Sequence, residues 1–256
     1  MIDQNDSHIR IGIIGAGNNT KNVHLPKLKS IPGVEIVEVA NRTLESAQRA
    51  AQEFNIPVVR KRWQEVATSE NIDAIVIGTW PYLHCQATCM ALKAGKHVLC
   101  EARMAMNASE VEQMLRESLE HPDRVAQIVP SPFTLKVDSI VQEYLENNKL
   151  GKILYFHFNH QSSPTTPLQT EASVHWRRNK KYSGINIMVL GIAYESILRW
   201  LGLANWVSAC GKIFKDKGID PETGKQIPIE IPDYLSVQME MENGVMGSFL
   251  ISDITP

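Results

Sequence analysis

The chain has 256 residues, 43% hydrophobic and 21% charged, enough apolar content to bury a large core in one big domain or two ordinary ones. Its 26 basic and 28 acidic residues leave a net charge of -2, and the basic clusters Arg60-Lys61-Arg62 and Arg177-Arg178-Asn179-Lys180-Lys181 are short, which argues against nucleic acid or an anionic membrane as a partner. The start, Met1 to His8, lacks the basic and apolar regions of a secretory signal, and the most apolar stretch (184–204) carries Glu195 and Arg199; a cytoplasmic protein with its four cysteines reduced and buried is expected.

In chain order, the apolar run 9–14 reads as a strand that delivers Gly15 and Gly17 into a tight turn before a helix. The backbone amides of that turn and of the helix start, from Gly15 through Asn18, Asn19 and Thr20, would face a pyrophosphate. Thr20 occupies the third position of G-x-G-x-x-G and predicts looser helix-on-strand packing than glycine allows. A strand at 34–40 and a helix at 44–54 complete a βαβ unit of the size that the motif requires. Further strands at 57–59, 74–79, 97–100 and 124–129, alternating with amphipathic helices, predict a doubly wound parallel sheet with its ligand crevice at the carboxyl ends of the strands.

The pattern changes after Pro130, which divides the chain into an expected dinucleotide-binding domain (1–129) and a second domain (130–256). There a helix at 135–145 is followed by a strand at 152–159, a long polar loop (161–181) and an apolar helix at 185–201. Strands at 206–214, 234–241 and 245–252 read as an antiparallel sheet, so the second half is an α+β domain whose open, mostly antiparallel sheet carries one helix layer. A sheet left open in this way is expected to pair with another copy, giving a homodimer or a higher homo-oligomer.

Taken together these pieces resemble the glucose-fructose oxidoreductase / inositol dehydrogenase / MocA family over nearly the whole length. The resemblance rests on Gly12-x-x-Gly15-x-Gly17, Ala40-Asn41-Arg42-Thr43, Asp73 to Thr79 with His84, Ala94 to Glu101, Leu150-Gly151-Lys152, and Trp176-Arg177 followed by Ser183-Gly184. It implies an NAD(P)-dependent oxidoreductase of sugars, polyols or related carbonyl compounds. In the family the strand ending at Glu101 continues as Glu-Lys-Pro, and that lysine meets nicotinamide and substrate; here Ala102-Arg103 follows. The family's Asp-x-Gly-x-His pattern aligns with Val189, Gly191 and Ala193, so its aspartate and histidine are also replaced. A rival expectation is therefore a non-catalytic dinucleotide-binding sensor or subunit.

His84, just beyond the strand 74–79, is the first candidate for acid/base work, since imidazole titrates near 6.5; the alternative is a helix-start histidine bound to a backbone carbonyl or the cofactor ribose. Arg103 cannot shuttle a proton but can clamp a carboxylate, phosphate or developing alkoxide; with Glu101 it forms either a crevice pair or a structural ion pair. Thr79 is a cofactor-binding candidate at the strand end, and the aromatics Trp80 and Tyr82 beside it either stack on the nicotinamide or floor the substrate pocket, or simply pack. Tyr194 and Glu195 either line the pocket, Tyr194 then as a catalytic phenol, or Glu195 pairs with Arg199. Trp176 and Arg177, near His160 and His175, either gate a substrate or make a dimer contact.

Cofactor choice rests on Asn41-Arg42-Thr43. NAD sites place a carboxylate at the end of the second strand, whereas a guanidinium beside a hydroxyl suits a 2′-phosphate, so NADP(H) is expected, NAD remaining possible, with Arg42 as the discriminating residue. No metal is expected, because His84, Cys85 and Cys89 are only three ligands on one amphipathic helix. No hydrolase or NTPase motif is present.

Overall fold

The computed structural model describes residues 8–131, 134–162 and 173–254, and the chain divides into two compact units, Met1–Val129 and Pro130–Pro256. In the first unit, β1 (Ile9–Ile14), β2 (Val34–Ala40), β3 (Val58–Val59), β4 (Ala74–Ile77), β5 (His97–Cys100) and β6 (Ala126–Ile128) form one all-parallel sheet in the order β3-β2-β1-β4-β5-β6. The order reverses between β1 and β4, the position at which such sheets open a ligand crevice.

Alternating side chains of these strands feed two cores. Ile11, Ile13 and Val76 pack on one side with Leu25 of α1 (Leu25–Lys29) and Ala50 and Ala51 of α2 (Leu44–Phe54). Ile14, Ile75 and Ile77 pack on the other with Val66 of α3 (Trp63–Ala67), Leu92 of α4 (His84–Lys93) and Met114 of α5 (Ala108–Glu120). A sheet buried on both faces explains why its strands read as continuous apolar runs. Local signals set the helix starts: Thr43 caps α2 by accepting from the Ser46 amide, and Asn107 caps α5 by accepting from Glu110.

Gly12 sits where the β1/β2 register shifts, and a Cβ there would lie 2.6 Å from Val66 Cγ1 and 2.7 Å from Ile72 Cδ1. Gly12 opens the glycine pattern that carries the family resemblance, with an expected role in cofactor binding beside Gly15 and Gly17; it is instead a buried mid-strand residue whose missing side chain admits the core.

The second unit contains α6 (Asp138–Glu146), β7 (Tyr155–Gln161), a 3₁₀ turn (Trp176–Arg178), α7 (Lys180–Ser183), α8 (Met188–Leu201) and five strands: β8 (Ala204–Lys212), β9 (Lys217–Ile219), β10 (Gln226–Pro228), β11 (Tyr234–Met241) and β12 (Met246–Ser252). The main sheet runs β7-β12-β11-β8. Its last three strands are antiparallel as read from sequence, while β7 joins β12 in parallel. The β9/β10 hairpin was not anticipated, and residues 163–172 of the expected polar loop lie outside the described residues.

Leu235, Val237 and Met239 of β11 and Phe249 and Ile251 of β12 bury one face of this sheet in a cluster that includes Ala193, Leu190 and Ile197 of α8. Strand β8 is an edge, exposed along almost its whole length, and Cys210 on it is exposed, which corrects the expectation that all four cysteines are buried. Among the described residues no helix is long and apolar enough to cross a membrane.

Gly247 marks the tightest point of this packing, since a Cβ there would fall 2.2 Å from Phe156 Cζ and 2.9 Å from Met239 Cγ. Gly247→Ala is expected to lose about 1–3 kcal/mol in urea unfolding. An unchanged midpoint would show that the sheet yields without cost.

Candidate functional site

Three strand ends of the first unit are laced together at the glycine turn. The Gly15 amide donates to the Ala40 carbonyl at 2.8 Å, the Gly78 amide to Ile14 at 2.8 Å, and the Ala16 amide to the Asn41 side-chain carbonyl at 2.7 Å. Gly15 adopts φ +90°, and a Cβ on it would lie 2.6 Å from Thr79 Cγ2 and 2.8 Å from the Thr79 amide nitrogen. Only glycine meets both demands.

Thr20 is buried, and its hydroxyl donates to the Gly15 carbonyl at 3.0 Å. A Cβ on Gly78 would come 2.0 Å from that hydroxyl oxygen. The expected loosening by Thr20 is thereby corrected: the missing third glycine of the turn is supplied from β4's exit, and helix and strand stay close. Gly17 is exposed, and a Cβ on it would meet nothing nearer than the Gly78 carbonyl oxygen at 3.8 Å. The helix begins at Asn18 and Asn19, both exposed, and passes through a π-helical turn (Thr20–His24) into α1. The open surface at Gly17 and the unpaired amides of a helix start fit a pyrophosphate.

Beside this turn lies a cavity of about 690 Å³, lined by Gly15 to Gly17, by Asn41, Arg42 and Ser46 after β2, by residues 61–64 after β3, and by Gly78 to Trp80 with Tyr82 after β4. The Arg42 guanidinium lies over the Trp80 ring at 5.2 Å, and the Trp80 and Tyr82 rings are 6.5 Å apart. Thr79 donates its hydroxyl to the Trp80 carbonyl at 3.2 Å. Thr43 is spent as the α2 cap, and Ser46, one turn on, stands in the lining in its place. Ser46, Lys61 and Arg62 were missed. The Arg60-Lys61-Arg62 run was visible, but only the neighbouring strand end brings it to Arg42.

At the end of β5, Glu101 accepts from the Asn19 side-chain amide and the His24 ring, and from the Ala102 amide at 3.1 Å. Burial raises the Glu101 pKa, but the bonds to His24 and Asn19 and the charge of His24 outweigh it and hold the carboxyl below its ordinary value. This joins the first helix to the segment after β5 that carries Arg103, which is half-buried.

His84 is fully buried, with Nδ1 2.8 Å from the Arg103 carbonyl and Nε2 3.0 Å from the Thr79 carbonyl. Burial pushes its pKa below the ordinary 6.5, against the raising effect of the two carbonyls. The proton-shuttle expectation is corrected accordingly: both ring nitrogens are enclosed against backbone carbonyls, one of which accepts from the single N–H of the neutral ring, and His84 braces the loops after β4 and β5. Cys85 and Cys89 are buried beside it, and burial raises both thiols, Cys89 to about 12. Among the described residues no group of three or more His, Cys, Asp or Glu side chains is placed to hold a metal ion.

The other candidates belong to the second unit. Tyr194 packs against its core cluster, and Glu195 pairs with Arg199 at 2.6 Å while accepting from the Ser131 amide. Arg177 lies over the Trp176 ring at 4.5 Å, and the Arg177 amide donates to His175 Nδ1 at 3.3 Å.

A parallel sheet with a glycine turn at its switch point defines a dinucleotide-binding Rossmann domain, here joined to an α+β unit. Residues 9–128 match the model of an oxidoreductase family with an NAD-binding Rossmann fold, and residues 140–256 match the GFO/IDH/MocA C-terminal domain. The chain belongs to the Gfo/Idh/MocA family of oxidoreductases. It is 30% identical to mouse trans-1,2-dihydrobenzene-1,2-diol dehydrogenase over 251 residues, which cover 95% of this chain and 68% of the mouse protein. The pig enzyme of the same name is 28% identical over 249 residues, again 95% and 68% of the two chains. Among solved structures, levoglucosan dehydrogenase in complex with NADH and L-sorbose superposes with a TM-score of 0.81 at 19% identity, covering 96% of this chain and 68% of that one.

Because the buried His84 resists protonation while the unfolded chain takes up its proton near pH 6.5, its contribution to stability is complete above that pH and declines as pH falls below it. Melting temperature measured from pH 8 to 5 should therefore fall more steeply for the wild type than for His84→Gln. Equal slopes would remove the buried imidazole as the cause.

Proposed function

We propose that this chain uses NADP(H) to oxidise or reduce a polyhydroxylated or carbonyl-bearing small molecule. The observation that carries the cofactor choice is the cavity lining, which contains Arg42, Lys61 and Arg62 and no carboxylate. A carboxylate after β2 would repel a 2′-phosphate, whereas the Arg42 guanidinium, held against the Trp80 face, presents a planar fork to it. The names of the mouse relative and of levoglucosan dehydrogenase support a hydroxylated substrate class.

A bound nicotinamide cofactor would supply the hydride acceptor or donor. Gly15, Gly17 and the helix start receive the pyrophosphate, and Asn41 holds the turn in shape through the Ala16 amide. Arg103, three residues beyond β5 where the family has lysine, would bind and orient the substrate oxygen as a permanently charged donor. His84 fixes the Arg103 backbone through its carbonyl, so it acts on position rather than on the proton.

Titration of nicotinamide fluorescence should show NADPH binding more tightly than NADH, with Arg42→Ala weakening NADPH about tenfold and NADH little. Equal affinities in the wild type would sink the NADP(H) assignment.

The same reading includes a homodimer through the uncovered sheet face of the second unit. Tyr155, Met246, Glu240 and Trp206 are in register across all four strands, and Tyr155, Met246 and Trp206 are exposed large apolar groups. Light scattering at micromolar concentration should give a dimer that Trp206→Glu dissociates. A monodisperse wild-type monomer would rule this out.

A further inference from the structure

The run Arg60-Lys61-Arg62 follows β3, and the three cations have different fates. Arg60 is neutralised by Glu38, a side chain only 1% exposed, through Nε to Oε2 at 3.0 Å and Nη2 to Oε1 at 2.8 Å; Ser69 donates to the same carboxylate at 2.8 Å. Arg62 pairs with Glu65 at 3.2 Å, and the other Glu65 oxygen accepts from the Lys61 and Arg62 amides at 3.1 and 3.2 Å. The backbone at Lys61 is thus pinned from both sides. Among the described residues its ammonium has neither an ion-pair nor a hydrogen-bond partner, and its side chain lines the cavity.

Register explains why it stands beside Arg42. Val39 of β2 pairs with Val59 of β3, and Arg42 and Lys61 follow three and two residues later, so both rise from adjacent parallel strand ends. Ser46, on the first turn of α2, lines the same cavity.

From this juxtaposition we infer that Lys61 is a second phosphate ligand, beside Arg42, and that together they select a cofactor phosphorylated on the adenosine ribose. The inference rests on the NADP(H) reading and adds to it a residue from a different loop. Arg42 supplies a planar, ring-stacked fork, and Lys61 a compact charge on a flexible stem; a dianion at this end of the cavity would meet both. The Glu38–Arg60 clamp serves the site indirectly by fixing where the Lys61 stem begins.

The test uses the adenosine half alone, so it needs neither a nicotinamide nor a substrate. Calorimetry with 2′,5′-ADP and with AMP is run on the whole chain for wild type, Lys61→Ala, Lys61→Arg and Arg42→Ala. Lys61 is exposed, so its removal leaves the core intact. Lys61→Ala should weaken 2′,5′-ADP about tenfold and AMP less than about twofold, with Lys61→Arg restoring most of the difference. Unchanged 2′,5′-ADP binding in Lys61→Ala, beside a loss in Arg42→Ala, would overturn the role of Lys61 alone. A wild type that binds 2′,5′-ADP no better than AMP would overturn the NADP(H) reading and this inference with it.

Discussion

The first unit depends on how closely its backbone approaches itself where β1 and β4 end. Gly15 and Gly78 meet there with no room for a Cβ on either, and Thr20 fills the remaining space while binding the Gly15 carbonyl. That contact fixes the start of the first helix against the sheet and leaves Gly17 open at the surface. Pyrophosphate recognition by backbone amides requires such closeness, because a side chain in the turn would hold the phosphates away from the amides.

Around that turn, charge is distributed so that most ionic groups are structural and a few face the cavity. Arg10 binds Asp73 with both its guanidinium and its amide, Arg60 answers the buried Glu38, and Glu101 is engaged by His24 and Asn19. The cavity lining accordingly carries Arg42, Lys61 and Arg62 and no carboxylate. Histidine is divided in the same way. His84 is enclosed by carbonyls and serves rigidity, whereas His24 meets a carboxylate at the end of β5.

The second unit solves a different packing problem with a single helix layer. Alternate residues of β11 and β12 bury one face beneath α8, while the opposite face carries Tyr155, Met246 and Trp206. Its ionic groups hold the helices together: Arg199 reaches Asp138 and Glu195, and Trp200 donates to Asp138 at 3.0 Å. Glu195 is thereby engaged within the unit, as the i, i+4 spacing suggested.

Periodicity and glycine placement made the order of strands and helices, the parallel sheet and the phosphate turn readable from the amino acids, because these depend on neighbours a few residues apart. The resemblance to the family was equally legible in segments such as Ala94 to Glu101. Other outcomes depended on partners far along the chain. Gly12 serves packing because Val66 and Ile72 lie above it, His84 is a brace because the Arg103 carbonyl closes over it from beyond β5, opposite the nearby Thr79 carbonyl, and β7 joins β12 in parallel across most of the second unit. Lys61 acquires its meaning in the same way, from a strand pairing that places it beside Arg42. Local sequence determined which elements form, where the turn lies and neighbouring pairs such as Glu195 with Arg199; tertiary structure decided the pairings far apart in the chain, such as Glu38 with Arg60, since those electrostatic partners are set by the fold.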